Sequence, residues 1–211
     1  TAFWEERTID NGFAANQILK SKISDINDVT LVSERLESFA LAANRLHSKP
    51  AMVLGIEPEA EDQITKISQK ITQGRFLQSD DKGAIIAEGL AKYLNLSVGD
   101  TLVMISQGYH GISASGLFEI VGIIEHPNPD FNKRLVYLDI NEAREFYSAP
   151  GISTSLVVMT NDHYKVDNLK KEIGKLLPDN NTVMTWAEMQ PELVQLIQSD
   201  RGGGIIMLGI L

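Results

Sequence analysis

The chain has 211 residues, 43% of them apolar and 22% charged, which is enough for a hydrophobic core arranged as one large domain or two small ones. Its formal net charge of -9 repels a polyphosphate backbone, and no Lys/Arg-rich run offers a local exception, so nucleic acid is not expected as a partner. The absence of cysteine excludes disulfides, thiolate catalysis and Cys-ligated zinc, and it fits a reducing or an oxidising compartment equally.

Near the N-terminus, Phe13, Ile18, Leu19, Ile23 and Ile26 recur at near-helical spacing and predict a helix over residues 13–26. "RLESFALAAN" and "PAMVLGIE" predict two strands joined by a turn near His47 to Pro50. "EPEAEDQITKISQKITQG" predicts a helix of about four turns. Pro58 lies in its first turn among acids, Ile64, Ile67 and Ile71 share one face, and Gly74 is a natural stop.

The middle of the chain is β-rich. "GAIIAEGLAKYLNLSVGDTLVMIS" predicts a short strand, a short helix, a turn at Val98, Gly99 and Asp100, and a second strand, for which "GLFEIVGIIE" is the partner. "KRLVYLDINEAREFYSAPG" adds a strand and a helix opened by Asp139 or Asn141, closed by Pro150 and Gly151. In the last third "STSLVVMT" predicts a strand, and Asn161 or Asp162 caps a helix striped by Val166, Leu169, Ile173, Leu176 and Leu177. "NTVMTW" predicts a returning strand. Thr185 and Glu188 then have capping-box spacing ahead of Pro191, which makes the last element two short helices or one kinked helix. A strand-helix-strand unit at each end of a β-rich insert predicts an α+β fold with a discontinuous outer subdomain and termini close together.

Residues that carry chemistry are few. No G-x-x-x-x-G-K-[ST] loop is present, so no nucleotide is expected here, and no other cofactor either. His47, His110, His126 and His163 match no zinc-binding spacing. "SQGYHGISASG", residues 106–116, gathers Tyr109, His110, Ser113 and Ser115 among three glycines. It lacks the second glycine of a nucleophile elbow and is followed by a strand, so it reads as an eleven-residue hairpin loop. Such a loop is longer than a hairpin requires and suits partner contact. The acids of "PEAED" and "SDD" read as solvated or capping groups. Trp186 reads as a core residue, and Trp4 as core or membrane-interface. Residues 202–211, "GGGIIMLGIL", read either as a buried terminal element or as the start of a transmembrane helix.

Taken in order, "GIEPEAEDQITKISQKITQGRFLQSDDKGAIIAEGLAKYLNLSVGDTLVMISQGYHG", "FEIVGIIE", "LVYLDINEAREFY" and "MTWAEMQPELVQLI" resemble the extracytoplasmic domain of FtsX-like, MacB-type ABC transporter permeases. The signature is G-I-x-P-E, then an A-x-x-L-x-x-x-V-G-D turn, then a W-x-E-x-x-P-E-L helix, and residues 1–12 match least. The resemblance implies a porter-like subdomain of two βαβ units, residues 1–56 and 151–199, interrupted by a smaller β-rich subdomain, residues 57–150. It also implies a transmembrane helix beginning at residues 202–211. By resemblance the domain stands in the periplasm, anchored in the inner membrane by flanking helices and paired with a second permease protomer. It would couple hydrolysis of ATP on a cytoplasmic ATPase subunit or domain to transport or release of a lipoprotein, peptide or small molecule, with no catalysis of its own. The hairpin residues Gln107, Tyr109, His110, Ser113 and Ser115 are the expected contacts with substrate or with a periplasmic carrier or adaptor. A free-standing extracytoplasmic adaptor and a serine hydrolase built on His110 and Ser113 are the alternative readings.

Overall fold

The computed structural model describes residues 9–15, 17–177, 181–189, 191 and 195. They fall in two compact units that divide between residues 159 and 160. The first contains β1 (Phe13–Ala14), α1 (Gln17–Ser24), β2 (Val29–Ala43), β3 (Ser48–Ile56), α2 (Pro58–Thr65), β4 (Ile71–Gly74), β5 (Ala84–Ala87) and α3 (Glu88–Leu94). These are followed by β6 (Thr101–Gln107), β7 (Ser113–Ile124), α4 (Pro129–Asn132), β8 (Leu135–Asp139), α5 (Ile140–Phe146), β9 (Ile152–Ser153) and β10 (Ser155–Thr160). The fold is α+β on a mixed sheet.

Strand pairing runs β2, β3, β8, β5, β7 and then β6, and β6 pairs back onto β2, so six strands close a ring. β10 flanks β2 and β4 flanks β7. Closure removes edges that would otherwise invite pairing with other chains. The alternate residues on one side of these strands, including Leu36, Ala40, Val53, Val136, Ile86, Phe118, Leu102 and Met104, form one buried cluster with Leu90 and Leu94 of α3. The opposite side of β5 and β8, carrying Ile85 and Tyr137, is buried with Ile56, Ile67 and Leu77 in a second cluster. That burial on both faces explains why "AIIA" and "LVYLD" show no polar alternation.

Buried ions fasten the outer elements to the ring. Glu34 of β2, only 5% exposed, accepts hydrogen bonds from Arg144 of α5 and from Ser153 Oγ of β9. Lys20 of α1 lies 3.7 Å from Glu34 and bonds Glu57. Arg35 of β2 holds Glu61 of α2 through Nε and Nη2, each at 2.8 Å. Burial draws the Arg35 guanidinium down, but Glu61 outweighs it and the net shift is upward. Glu61, one of the acids of "PEAED" that read as solvated or capping, is 3% exposed, because Arg35 on the neighbouring strand neutralises it.

Several elements depart from the sequence expectation. Residues 13–14 pair with 153–152 as strand, so the first helix starts only at Gln17. The expected four-turn helix stops at Thr65, where Lys66 turns left-handed with φ 55° and ψ 34°. Asp62 Oδ1 then accepts from the Ser68 amide at 2.8 Å, and residues 71–74 join β7 as an antiparallel strand. The isoleucine stripe has helical spacing, and pairing with a free edge of β7 outweighs it for residues 71–74. β3 also pairs in parallel with β8, residues 52–56 against 135–139.

In the second unit Asp162 caps a turn by accepting from the Tyr164 amide, and α6 (Val166–Gly174) buries Leu169 and Ile173. No strand forms over residues 181–185. The Thr185 amide is instead taken by Glu188 at 2.8 Å, and the Glu188 amide by Thr185 Oγ1 at 3.3 Å, a capping box that opens α7 (Trp186–Met189). Trp186 is exposed rather than in the core. Trp4 and the apolar residues 202–211 lie outside the described residues.

A candidate contact face on the β6–β7 hairpin

The eleven-residue loop expected at 106–116 is mostly strand. β6 and β7 pair from Thr101 opposite Glu119 up to Gln107 opposite Ser113, which leaves residues 108–112 as the connection. The Gly108 amide donates to the Ile112 carbonyl at 2.6 Å, and the Gly111 amide to the Gly108 carbonyl at 3.1 Å. His110 and Gly111 both take positive φ, 54° and 78°.

The tip is docked onto its surroundings. The Tyr109 amide donates to the Tyr147 carbonyl at 2.8 Å, and the His110 amide to Asp10 Oδ1 at 2.6 Å. Further down the hairpin, the carbonyl of Phe39 on β2 accepts from Ser106 Oγ at 2.6 Å and from the Tyr147 hydroxyl at 3.0 Å. Burial pushes the Tyr147 phenol above its ordinary range. Gly108 permits this docking, since a Cβ there would stand 2.5 Å from the Tyr147 carbonyl oxygen.

The five expected contact residues therefore separate. Tyr109 is half-buried and packs on the core cluster, with its ring 3.8 Å from that of His110. The His110 side chain is 72% exposed, its Nδ1 lying 3.9 Å from Asp10. Gln107, Ser113 and Ser115 are exposed. Cross-strand partners share a face, and the register places Leu41 opposite Ile105, Ile105 opposite Ser115, and Val103 opposite Leu117. Gln107, Ser113 and Ser115 thus stand on one outward face with Phe39, Leu41, Ile105 and Leu117, all four substantially exposed. These apolar members were not legible from sequence. "TLVMISQ" is apolar at inward and outward positions alike, so alternation does not say which side meets water.

His110 is directed to Asp10, and Ser113 lies on a strand, so the serine is not set on the strand-to-helix turn that exposes a hydrolase nucleophile. Among the described residues no three His, Cys, Asp or Glu side chains gather to hold a metal. Beside Leu117 an open groove of about 600 Å³ is lined by Arg75, Asp81, Lys82 and Val98. Its cations are already engaged, Arg75 by Asp81 and Lys82 by Glu142 and Glu145.

Residues 5–176 match the family described as MacB-like periplasmic core domain. The chain belongs to that family. The MacB-like domain is also 20% identical, over 183 residues, to the lipoprotein-releasing system transmembrane protein LolC of Xylella fastidiosa. That alignment takes in 83% of the chain but 44% of the LolC protein, so the chain spans less than half the length of this curated relative. Among solved structures, the extracellular domain of the noncanonic ABC-type transporter YknZ from Gram-positive bacteria superposes with a TM-score of 0.63 at 16% identity, covering 83% of this chain and 90% of that one. The periplasmic region of MacB from Actinobacillus actinomycetemcomitans gives 0.55 at 15% identity, covering 75% and 72%. The MacB-like domain therefore shares their mixed α+β fold. No helix among the described residues is long and apolar enough to cross a membrane.

Proposed function

We propose that this domain is the periplasmic part of an ABC transporter permease subunit, anchored at the inner membrane by helices on either side of it. ATP is hydrolysed on a separate cytoplasmic subunit or domain, and a dimer with a second permease protomer carries that motion outward. The periplasmic domain contributes no catalysis; it moves or releases a lipoprotein, peptide or small molecule at the outer face of the membrane. The observation that carries this reading is the family match across residues 5–176. The β1–β9 pairing, which joins residues 13–14 to 153–152, supports a discontinuous layout in which segments 1–56 and 151–199 flank the insert 57–150.

Within this reading, the substrate, carrier or adaptor meets the outward face of β6 and β7. Gln107, His110, Ser113 and Ser115 give polar contacts beside Ile105 and Leu117, a mixture suited to a transient interface. Tyr109 supports the tip from below. The test is transport by the full-length permease carrying His110→Ala, Ser113→Asp and Ser115→Asp together. Loss of transport with an unchanged melting temperature of the domain is expected, and wild-type transport would remove this face from the mechanism. Tyr109→Ala is a poor probe, because its loss also unpacks the core.

A further inference from the structure

The turn between β2 and β3 is built in more detail than a four-residue connection needs. The Asn44 amide donates to the His47 carbonyl at 2.9 Å. Asn44 Oδ1 accepts from the amides of Leu46 and His47 at 2.8 and 2.6 Å, and Asn44 Nδ2 donates to the Leu94 carbonyl of α3. One side chain thereby fixes the turn internally and pins it to the neighbouring helix. What the turn presents is Leu46, 86% exposed, an apolar side chain held out into water at the apex.

A half-exposed Tyr93 stands behind the apex, with Lys49 Nζ 4.7 Å from its ring centroid and the His47 ring against its edge. Arg45 and Lys49 have no carboxylate partner among the described residues. Lys92 is neutralised by Glu88 at 3.0 Å. In a chain of net charge -9 this is a local cationic surface around a projecting leucine, backed by a half-exposed tyrosine.

We propose that this turn is a contact site for an acidic lipid surface: Leu46 enters the headgroup region while Arg45 and Lys49 pair with lipid phosphates and Tyr93 lies at the boundary. The shape favours lipid over a protein groove-filler. The apex is convex, so it cannot cradle a peptide, whereas a bilayer yields around a projecting side chain. The charge is complementary, since each Lys or Arg near an anionic leaflet adds favourable energy. One leucine and two cations give a dissociation constant only on the order of millimolar. That is weak for a free domain and comparable with the effective concentration of one tethered to a bilayer, where contact can be made and broken. The site rests on the reading of the domain as membrane-anchored, but not on the role proposed for the β6–β7 face.

The test uses the 211-residue chain, whose lack of cysteine lets Ser48→Cys carry a unique environment-sensitive fluorophore beside the apex. It is titrated with phosphatidylglycerol-phosphatidylcholine vesicles and with pure phosphatidylcholine vesicles. A blue shift confined to the acidic vesicles is expected, saturating in the millimolar lipid range, abolished by Leu46→Ser and suppressed at about 0.5 M salt. Arg45→Gln with Lys49→Gln should weaken it roughly 25-fold. Leu46 and Arg45 are exposed, Lys49 is partly buried over the Tyr93 ring, and both variants leave the Asn44 bonds in place. No shift, an equal shift on neutral vesicles, or a shift indifferent to these substitutions would overturn the proposal. A response to soluble polyglutamate at concentrations where vesicles leave the label unchanged would assign the turn to an acidic protein instead.

Discussion

Replacing Glu61 by leucine tests whether the Arg35–Glu61 pair holds α2 against β2. The Glu61 side chain is 4% exposed and that of Arg35 22%, so the substitution leaves a largely buried guanidinium without its partner. Breaking a buried pair from one side costs about 3–5 kcal/mol. Arg35 keeps some access to water and lies near Glu37, which places the loss at the lower end, about 3 kcal/mol. For a domain of this size that is a fall of about 6–12 °C in melting temperature. Urea denaturation of the isolated chain, with extrapolated stabilities for wild type, Glu61→Leu, Arg35→Met and the double variant, separates charge from packing. The double variant should return to within about 1.5 kcal/mol of wild type, because the attraction within the pair is largely offset by desolvation of both ions. A double variant as unstable as Glu61→Leu would show that lost packing, and not an uncompensated charge, causes the effect.

Other consequences can be checked on the same protein. Lys66→Gly should stabilise the domain by about 0.5–1 kcal/mol in urea denaturation, since Lys66 ends α2 at φ 55°, where a Cβ is penalised; a destabilised variant would contradict this. Gly108→Ala forces a Cβ to 2.5 Å from the Tyr147 carbonyl oxygen and should cost about 1–3 kcal/mol while raising amide exchange at Tyr109; unchanged exchange would mean the tip is not docked there. Burial raises the phenols of Tyr137 and Tyr147 above their ordinary range. Their stabilising contribution is therefore complete below the unfolded-state value of about 10 and is lost as pH climbs from there through the folded values. Absorbance at 295 nm should show these two of the five tyrosines ionising only as the fold is lost, and early ionisation of all five would refute it.

How much of this could be read in advance depended on where the deciding energy lay. Strands 84–87, 101–107 and 135–139, the helix opened by Asp139 and the Thr185–Glu188 capping box are set by neighbours within a few residues, through apolar runs, turn residues and caps that act locally. The α+β class follows from the order of these local elements for the same reason. Ile64, Ile67 and Ile71 keep helical spacing past Thr65, and only the edge of β7, some 50 residues away in the chain, makes strand the better choice for residues 71–74. The contact face was half legible. "QGYHGIS" marks itself by glycines and exposed polar residues, whereas Phe39, Leu41, Ile105 and Leu117 become one surface only when β6 closes the ring between β2 and β7. Tyr109 shows the same division. Its neighbouring glycines mark a turn, whereas the bond of its amide to the Tyr147 carbonyl, from a distant helix end, and the packing of its ring on the core cluster depend on the fold. The local elements follow from near neighbours in the chain, because propensity, capping and turn geometry act over a few residues. Ring closure, the burial of Glu61 and the face left to solvent were decided by tertiary structure, because desolvation and strand pairing depend on partners that only folding brings together.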